Sequence, residues 1–402
     1  MNAAIRNKLC VMMLLEYVIW GAWLPLLGIY LGKDYLNFSG SEQAWVFNTF
    51  AIASLTGMFF GGQLADRYFA QEKFLAFSHL IGGLAMIGLI FQKSFWPVFG
   101  LMLLHCFFYV PTLSITNAIT FANLKDSKDF GVVRAFGTIG WILASVPYFV
   151  FPTTSLFAIA GIASLALAAF CLMLPSTPPA ANADASSFAP IEAMKLLAVP
   201  TILILFIVTF LDAVILQCHF FWTGRFLAAL KLRESWIPAA MSIGQIAEIS
   251  TMAFLAFFLK KLGWRTTMIL GMLGQVIRFG VYSFGTPETL WMVILVNVVH
   301  GFAYAFFFAT VYIFVDENFP TSVRTSAQSL FNLLILGVGP FVGNLLWGWL
   351  GDYYTIDNSV AYHKLFLIPT GIGVLASLIL FFFFWPSEKP PVSIDEDFAP
   401  NV

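Results

Sequence analysis

The stretch PSTPPAANADASSFAPIEA, residues 175–193, is the longest polar segment of a 402-residue chain. Its proline, alanine and serine content is typical of a flexible linker. The sequence on either side consists mainly of apolar runs, each close to the ~20 residues that an α-helix needs to cross the hydrocarbon core of a bilayer. Six such runs precede the segment and six follow it. We therefore predict two halves of six helices joined by one linker.

The composition of the chain indicates a membrane protein. Hydrophobic residues make up 60% of it, charged residues only 10%, and the mean hydropathy is +0.86. A soluble domain carries about 25% charged residues and has too little interior to bury so much apolar surface. The net charge of −1 gives no basic surface for phosphates, so no nucleic-acid partner is expected.

Twelve apolar runs predict an all-α integral membrane protein with 12 transmembrane helices. The first run is too long for a signal peptide, and no small-residue cleavage site follows it. The predicted spans are 9–32, 43–65, 73–92, 95–121, 131–151, 154–174, 198–229, 237–260, 265–284, 288–316, 323–350 and 362–386. They give an N-terminal bundle (1–174), a linker (175–197), a C-terminal bundle (198–386) and a tail (387–402). Lys and Arg are twice as frequent in the loops on the side of both termini, which predicts cytoplasmic termini.

The sequence predicts no metal site, cofactor or catalytic centre, and we expect a monomer that is not an enzyme. No Walker loop or nucleophile–base set is visible. The four cysteines lie in or beside apolar runs without CxxC spacing, so they are interpreted as packing residues.

A gating loop is predicted between the second and third spans, where GQLADR (62–67) is followed by a lysine. Asp66 can cap or pair with a neighbouring helix end, and such a contact can hold one state of a moving protein. A solvated turn with a chance charge pair is the alternative. The loop comprises Gly62, Asp66, Arg67 and Lys73.

Ionisable side chains inside spans are costly in a bilayer and normally face protein or a wet cavity. Glu248 lies halfway along the eighth span, and Gln245 shares its helix face. Together they offer donors and acceptors to a polyhydroxylated ligand, and Glu248 can exchange a proton. A structural pairing of Glu248 with Arg278 is the alternative.

Arg134, Thr138 and Trp141 share one face of the fifth span. The guanidinium and hydroxyl groups suit the polar edges of a ring, and the indole suits stacking. The alternative is an interfacial arginine that extends to lipid headgroups.

Further residues are candidates for carrying protons. His219 shares a helix face with Asp212 in the seventh span, and His300 lies in the tenth. The alternative for each histidine is a hydrogen-bonded packing role. Glu16 lies in the first span and is either a relay carboxyl or a residue that holds helices together. With Glu248, the proton-coupling candidates are Glu16, His219 and His300.

Several segments resemble the nucleoside:proton symporter family of the major facilitator superfamily. They include WGAWLPLLGIYL (20–31), VRAFGTIGW (133–141), GQIAEI (244–249) and YIFVDENFPTSVRTSAQ (312–328). The GxxxDR segment at 62–67 resembles the signature loop of the superfamily. The resemblance covers nearly the whole chain. It implies the major facilitator fold, with two pseudo-symmetric six-helix bundles, and proton-driven import of nucleosides by alternating access across a bacterial inner membrane.

The resemblance also implies which residues contact the nucleoside. In the first half the family contacts fall on Arg134 and Thr138, with Trp141 as the aromatic residue of that face. In the second half they fall on Gln217, Gln245, Glu248, His300 and Tyr304.

Two positions depart from the family pattern. Phe220 stands where the nucleoside permeases carry an asparagine, and Ala305 stands where they carry an acidic residue. The first change removes a hydrogen bond of the kind on which substrate selectivity rests, and the second removes a protonation site. The alternatives are a transporter or uniporter for another polar solute, such as a sugar or modified nucleoside, and a receptor that binds its solute without moving it.

Overall fold

The computed structural model describes residues 3–68, 70–124, 130–178, 194–319, 321–357 and 359–386, without the side chains of 58–68, 195–196, 321–323 and 325–326. The first half of the chain consists of long helices that coincide with the predicted spans. They are α1 (Ala3–Leu31), α2 (Gly40–Tyr68), α3 (Gln71–Leu89), α4 (Phe95–Asn123), α5 (Phe130–Leu143) and α6 (Leu156–Cys171). Short 3-10 turns at Val146–Phe149 and Thr153–Ser155 connect α5 to α6.

The second half is also helical, with more interruptions. Its helices are α7 (Pro200–Ala229), α8 (Ile237–Ser283), α9 (Leu290–Leu295), α10 (Val298–Tyr304), α11 (Thr310–Asn318), α12 (Thr321–Asn332), α13 (Gly339–Tyr354) and α14 (Tyr362–Phe383). A two-stranded hairpin of β1 (Thr355–Ile356) and β2 (Ser359–Val360) precedes α14. Further 3-10 turns lie at Met194–Ala198, Glu234–Trp236 and Pro287–Thr289.

Ten stretches of the described residues are helical, long and apolar enough to cross a membrane. The expectation of an all-α membrane protein is therefore confirmed. The predicted linker and tail lie largely outside the described residues, in 179–193 and 387–402.

Helix α8 joins two predicted spans, 237–260 and 265–284, without an intervening loop. The break between them is Gly263, with φ 72° and ψ 172°. Glycine adopts a positive φ without the steric cost that a Cβ atom imposes. A single residue therefore makes the change of direction for which the sequence suggested a short loop.

The predicted gating loop is helical over most of its length. Helix α2 continues to Tyr68, so Gly62, Asp66 and Arg67 belong to its last turns rather than to a loop. The segment has no proline after Gly62 to end the helix. The side chains of these three residues lie outside the described residues, and Lys73 is exposed in the first turn of α3.

Two π-helical turns interrupt the predicted tenth and eleventh spans. They comprise Ala305–Ala309, between α10 and α11, and Leu333–Val338, between α12 and α13. In the first, the Thr310 hydroxyl donates to the carbonyl of Ala305, five residues earlier, over 3.2 Å. Such turns occur frequently at functional sites, and this one follows Tyr304 directly.

The described chain forms two compact units. The first comprises Met1–Ala185, Cys218–Ser242 and Asn344–Thr355, and the second comprises Ser186–Gln217, Ile243–Gly343 and Ile356–Val402. Glycines let helices approach closely within each unit. In the first, a Cβ at Gly83 of α3 would lie 3.1 Å from the Cβ of Ser164 on α6. In the second, a Cβ at Gly244 of α8 would lie 2.7 Å from Cδ2 of His300 on α10.

Candidate functional site

The predicted face of α5 packs against α1 inside the first unit. The Arg134 guanidinium lies over the ring of Tyr17, 4.4 Å from its centroid. The Trp141 ring meets the Trp20 ring edge-on, with centroids 5.4 Å apart. Thr138 lies between them and is half-buried. Arg134 thus makes a cation–π contact with an aromatic ring of α1.

Trp20 adds a residue that the sequence did not assign to the site. Its ring stacks on Phe50 of α2, with centroids 4.9 Å apart and planes 10° from parallel. The indole Nε1 is buried and has no acceptor among the described residues. A buried donor without a partner is costly, so this N–H is available to a ligand beside the Arg134 face.

Phe220 packs on the same face. Its ring lies edge-on to that of Trp141, with centroids 6.3 Å apart. Phe220, where the family resemblance implies an asparagine, thus makes an aromatic contact in this chain. The neighbouring His219 is buried, and its Nδ1 lies 2.9 Å from the Thr223 hydroxyl one helical turn later.

A chain of hydrogen bonds crosses the core of the second unit. Arg278 of α8 is fully buried and donates from Nη2 to Oε1 of Gln275 and from Nη1 to Nδ1 of His300, each over 2.6 Å. Nε2 of Gln275 donates to Oδ1 of Asp212 over 2.7 Å. Asp212 is also fully buried, and its Oδ2 has no hydrogen-bond partner among the described residues.

The direction of these bonds fixes the chemical form of His300. A guanidinium group only donates hydrogen bonds, so Nδ1 of His300 accepts and carries no proton. The neutral ring then carries its proton on Nε2, where it is a donor. For the same reason the Gln275 oxygen faces Arg278, and its amide nitrogen faces the Asp212 carboxylate.

The predicted ligand residues of α8 and α10 come together in this unit. Gln245 and Glu248 are half-buried and one helical turn apart, and Gly244 on their turn lies against His300. Oε1 of Gln245 is buried without a donor among the described residues. Tyr304 follows His300 at i+4, is half-buried and contacts the ring of Phe308 at 5.5 Å. The sequence alone did not indicate Gln275 as a site residue, because its place between Arg278 and Asp212 depends on how α7 packs against α8.

Gln217 lies on α7 in the second unit and is half-buried. A Cβ at Gly343 of α13 would lie 3.0 Å from its Cβ. This glycine therefore leaves room for the Gln217 side chain where the two helices approach.

A buried acid–imidazole pair occupies the core of the first unit. Oε2 of Glu16 lies 2.8 Å from Nε2 of His79 on α3, and both residues are at most 1% exposed. On α4, Thr112 donates to Oε1 of Glu16 over 2.7 Å, and the Tyr109 hydroxyl donates to the Glu16 carbonyl over 2.8 Å. Sequence reasoning identified Glu16 but missed His79, whose only signal was a histidine within an apolar span.

Polar contacts also join early and late helices at one end of the first unit. The backbone N–H of Gly40 donates to Oδ1 of Asp352 over 2.7 Å. The amide of Asn344 donates to Oδ1 of Asn48 over 3.0 Å. These contacts connect α2 to α13.

Tyr35 lies at the same end, in the loop after α1. Its hydroxyl donates to Oε2 of Glu234 over 2.7 Å, and Thr153 donates to the same oxygen. Burial, followed by the Glu234 contact, raises the pKa of Tyr35 to about 12. We call the contacts of Asp352, Asn344 and Tyr35 the end cluster.

The sequence matches the family described as Nucleoside H+ symporter over residues 1–389. The chain belongs to this family. It is 31% identical to the putative nucleoside transporter YegT of Escherichia coli K12, over 94% of this chain and 93% of that protein. It is 29% identical to the xanthosine permease of the same organism, over 97% of this chain and 98% of that protein.

The structure is also similar to that of a member of this group. The nucleoside transporter NupG superposes with a TM-score of 0.87 and 26% identity, over 96% of this chain and 100% of that chain. This similarity supports a membrane fold of the major facilitator type. The family resemblance found in the sequence is thereby confirmed, and the relatives are transporters rather than enzymes.

Proposed function

We propose that this protein imports nucleosides into a bacterium together with protons, across the inner membrane. The observation that carries the proposal is the match to the nucleoside symporter family over residues 1–389. Its relatives include a xanthosine permease and a putative nucleoside transporter, and each aligns over nearly the full length of the chain.

Twelve transmembrane helices in two six-helix bundles are the architecture that we propose. Ten apolar stretches support it. Helix α2 has the length of an eleventh span, and the stretch containing α8 is broken at Gly263 and so supplies two spans rather than one. The bundles are residues 1–174 and 198–386, joined by the cytoplasmic linker 175–197. Both termini and the tail 387–402 lie in the cytoplasm, and the protein works as a monomer.

Substrate contacts come from both halves of the chain in this proposal. The Arg134, Thr138 and Trp141 face, with Trp20 beside it, offers aromatic surfaces and donors to the base. Gln245 and Glu248 offer hydrogen-bonding groups to the ribose hydroxyls. The remaining contacts are Gln217, Tyr304 and the Nε2 donor of His300.

Transport follows from alternating access, in which each end of the protein opens in turn. The end cluster holds one end closed through contacts such as that of Gly40 with Asp352. The predicted gating segment of Gly62, Asp66, Arg67 and Lys73 holds the other end when the first opens. Each set must break once in a transport cycle, so neither set of contacts can be strong enough to trap one state.

The test is solute counterflow and uptake in proteoliposomes. We expect purified protein to accumulate labelled nucleoside under a pH gradient, and a protonophore to abolish the accumulation. Unlabelled nucleosides should compete, whereas sugars should not. Uptake that ignores the protonophore would indicate a uniporter, and tight binding without accumulation would indicate a receptor. Either result contradicts the proposal.

Phe220 and Ala305 bear on the substrate and on the proton. Phe220 places an aromatic ring against Trp141 where the family resemblance implies an amide. We therefore expect the counterflow panel to show a preference for a modified nucleoside, because a hydrogen bond that selects the substrate is missing. Ala305 is buried at the start of a π-helical turn. It carries no proton, so coupling requires a titratable group elsewhere, among Glu248, Glu16, His219 and His300.

A further inference from the structure

We propose that Glu16 and His79 form the proton-binding site of the transporter, in the core of the first unit. The inference rests on the proposed function as a proton-coupled carrier, and it locates the proton that the family description requires. It also transfers the coupling role from Glu248 of α8 to a pair that the α1 and α3 helices supply.

The hydrogen-bond geometry around His79 accommodates one extra proton. The Ser164 hydroxyl donates to the His79 carbonyl over 2.9 Å, which uses its single hydrogen. Its oxygen lies 3.2 Å from Nδ1 of His79, so this contact is a hydrogen bond only if Nδ1 carries the donor hydrogen. Nε2 of a neutral ring would then present a lone pair to Oε2 of Glu16 at 2.8 Å. A proton between these two atoms makes all three contacts hydrogen bonds.

Loss of that proton breaks one of the contacts. If the ring keeps its hydrogen on Nδ1, Nε2 and the carboxylate repel each other and separate. If the hydrogen moves to Nε2, Ser164 must turn its hydroxyl toward Nδ1 and release the His79 carbonyl. In the first case the contact between α1 and α3 is lost, and in the second the Ser164 hydroxyl of α6 exchanges one acceptor of His79 for another. Proton binding therefore changes the hydrogen bonds by which His79 holds α3 to α1 and α6.

Among the groups around the pair, His79 is the one that neutralises the charge of Glu16. The titratable groups around the pair are Tyr17 of α1, Glu72 of α3, His105, Cys106 and Tyr109 of α4, Arg134 of α5 and Cys171 of α6. Arg134 is the permanent cation of this set, and its guanidinium lies over Tyr17. A buried carboxylate in a membrane protein needs a partner charge or a proton, and the adjacent imidazole supplies the shared proton.

The pair is linked to the proposed substrate face through α1. Glu16 is followed by Tyr17, which contacts Arg134, and one turn later by Trp20, which contacts Trp141. A shift of α1 on release of the proton moves both aromatic rings. This connection gives a physical route by which proton release lowers the affinity for substrate.

The test uses Glu16→Gln, His79→Gln and Glu72→Gln in proteoliposomes. Glu72 is a matched control because it is a second buried carboxylate of the first unit, and it accepts a hydrogen bond from the backbone N–H of Thr177 over 2.9 Å. Glu16→Gln resembles the permanently protonated form. It should lose accumulation under a pH gradient and retain counterflow, whereas Glu72→Gln should keep both. Accumulation at the wild-type level in Glu16→Gln overturns the proposal.

Infrared difference spectroscopy gives a readout that does not depend on transport or on the folding of Glu16→Gln. A pH step on the wild-type protein should change the carbonyl band of a protonated carboxylic acid, and His79→Gln should shift or remove that band. A band that His79→Gln leaves unchanged overturns the proposal. Absence of accumulation by the wild-type protein contradicts the proposed function instead, and the infrared result then decides the proton site separately.

Discussion

Nη1 of Arg278 donates a hydrogen bond to Nδ1 of His300, and the two atoms lie 2.6 Å apart. This contact connects a fully buried cation to a residue that the family resemblance places at the substrate. Arg278 is in turn connected through Gln275 to the buried carboxylate of Asp212. The second unit thus contains a buried guanidinium and a buried carboxyl group separated by one amide.

Arg278→Met should destabilise the protein strongly. Removal of the guanidinium leaves the Gln275 oxygen and Nδ1 of His300 without their buried donor, and each unsatisfied buried group costs about 1–3 kcal/mol. We expect a large fall in the melting temperature of the detergent-solubilised protein. The double variant Arg278→Met with Asp212→Asn should recover part of the loss, because the buried carboxyl group is then removed as well. A double variant less stable than the single one would contradict the coupling between these residues.

His300→Gln should bind substrate better than His300→Leu. The glutamine amide can accept from Arg278 and donate to the ligand, as the neutral imidazole does, whereas leucine does neither. Loss of one net hydrogen bond is worth about 1 kcal/mol, or roughly 5-fold in the dissociation constant. Isothermal titration of both variants checks this order. An uptake pH profile that shifts in His300→Gln would show that His300 titrates during transport.

Arg134→Ala should weaken nucleoside binding about 10-fold or more, because it removes a cation from a partly desolvated aromatic site. Tyr17→Phe keeps the ring under the guanidinium and is the matched control, with an unchanged dissociation constant. Binding measured by scintillation proximity is suitable for both variants. If Arg134→Ala binds like the wild type, the arginine faces the headgroups instead.

Tyr35→Phe should lower the melting temperature equally at pH 6 and pH 9. Burial and the contact with Glu234 raise the pKa of the Tyr35 hydroxyl to about 12. For a group whose pKa is raised on folding, the stabilisation is fully present below the ordinary pKa near 10 and is lost as the pH rises through about 12. The hydroxyl therefore stays a donor across this range. A difference between variant and wild type that grows or shrinks between pH 6 and pH 9 would be inconsistent with this assignment.

The sequence predicted the spans and individual candidate residues, but not which side chains contact each other. Apolar runs predicted the helices because a bilayer requires every backbone group to be paired within a helix. The spacing of Arg134, Thr138 and Trp141 likewise follows from helix geometry alone. By contrast, His79 meets Glu16 from a helix 63 residues away. Contacts of this kind depend on how helices pack, so spacing along the chain did not indicate them.

The form of the helix interruptions was not predicted, although a break between residues 260 and 265 was. The change of direction at Gly263 needs one residue with a positive φ, and glycine occurs throughout the spans without that role. The continuation of α2 through residues 62–67 was missed because a charged segment between two spans is typical of a loop. In the structure these residues form helical turns that extend beyond the predicted apolar run.

The most direct test of coupled import measures protons and nucleoside in the same vesicles. Proteoliposomes with an entrapped pH-sensitive dye receive nucleoside from outside, with no initial pH gradient and with valinomycin and potassium to prevent a membrane potential. We predict that the interior acidifies as labelled nucleoside enters, and that vesicles without protein show neither change. Entry of nucleoside with no change in internal pH would contradict proton symport.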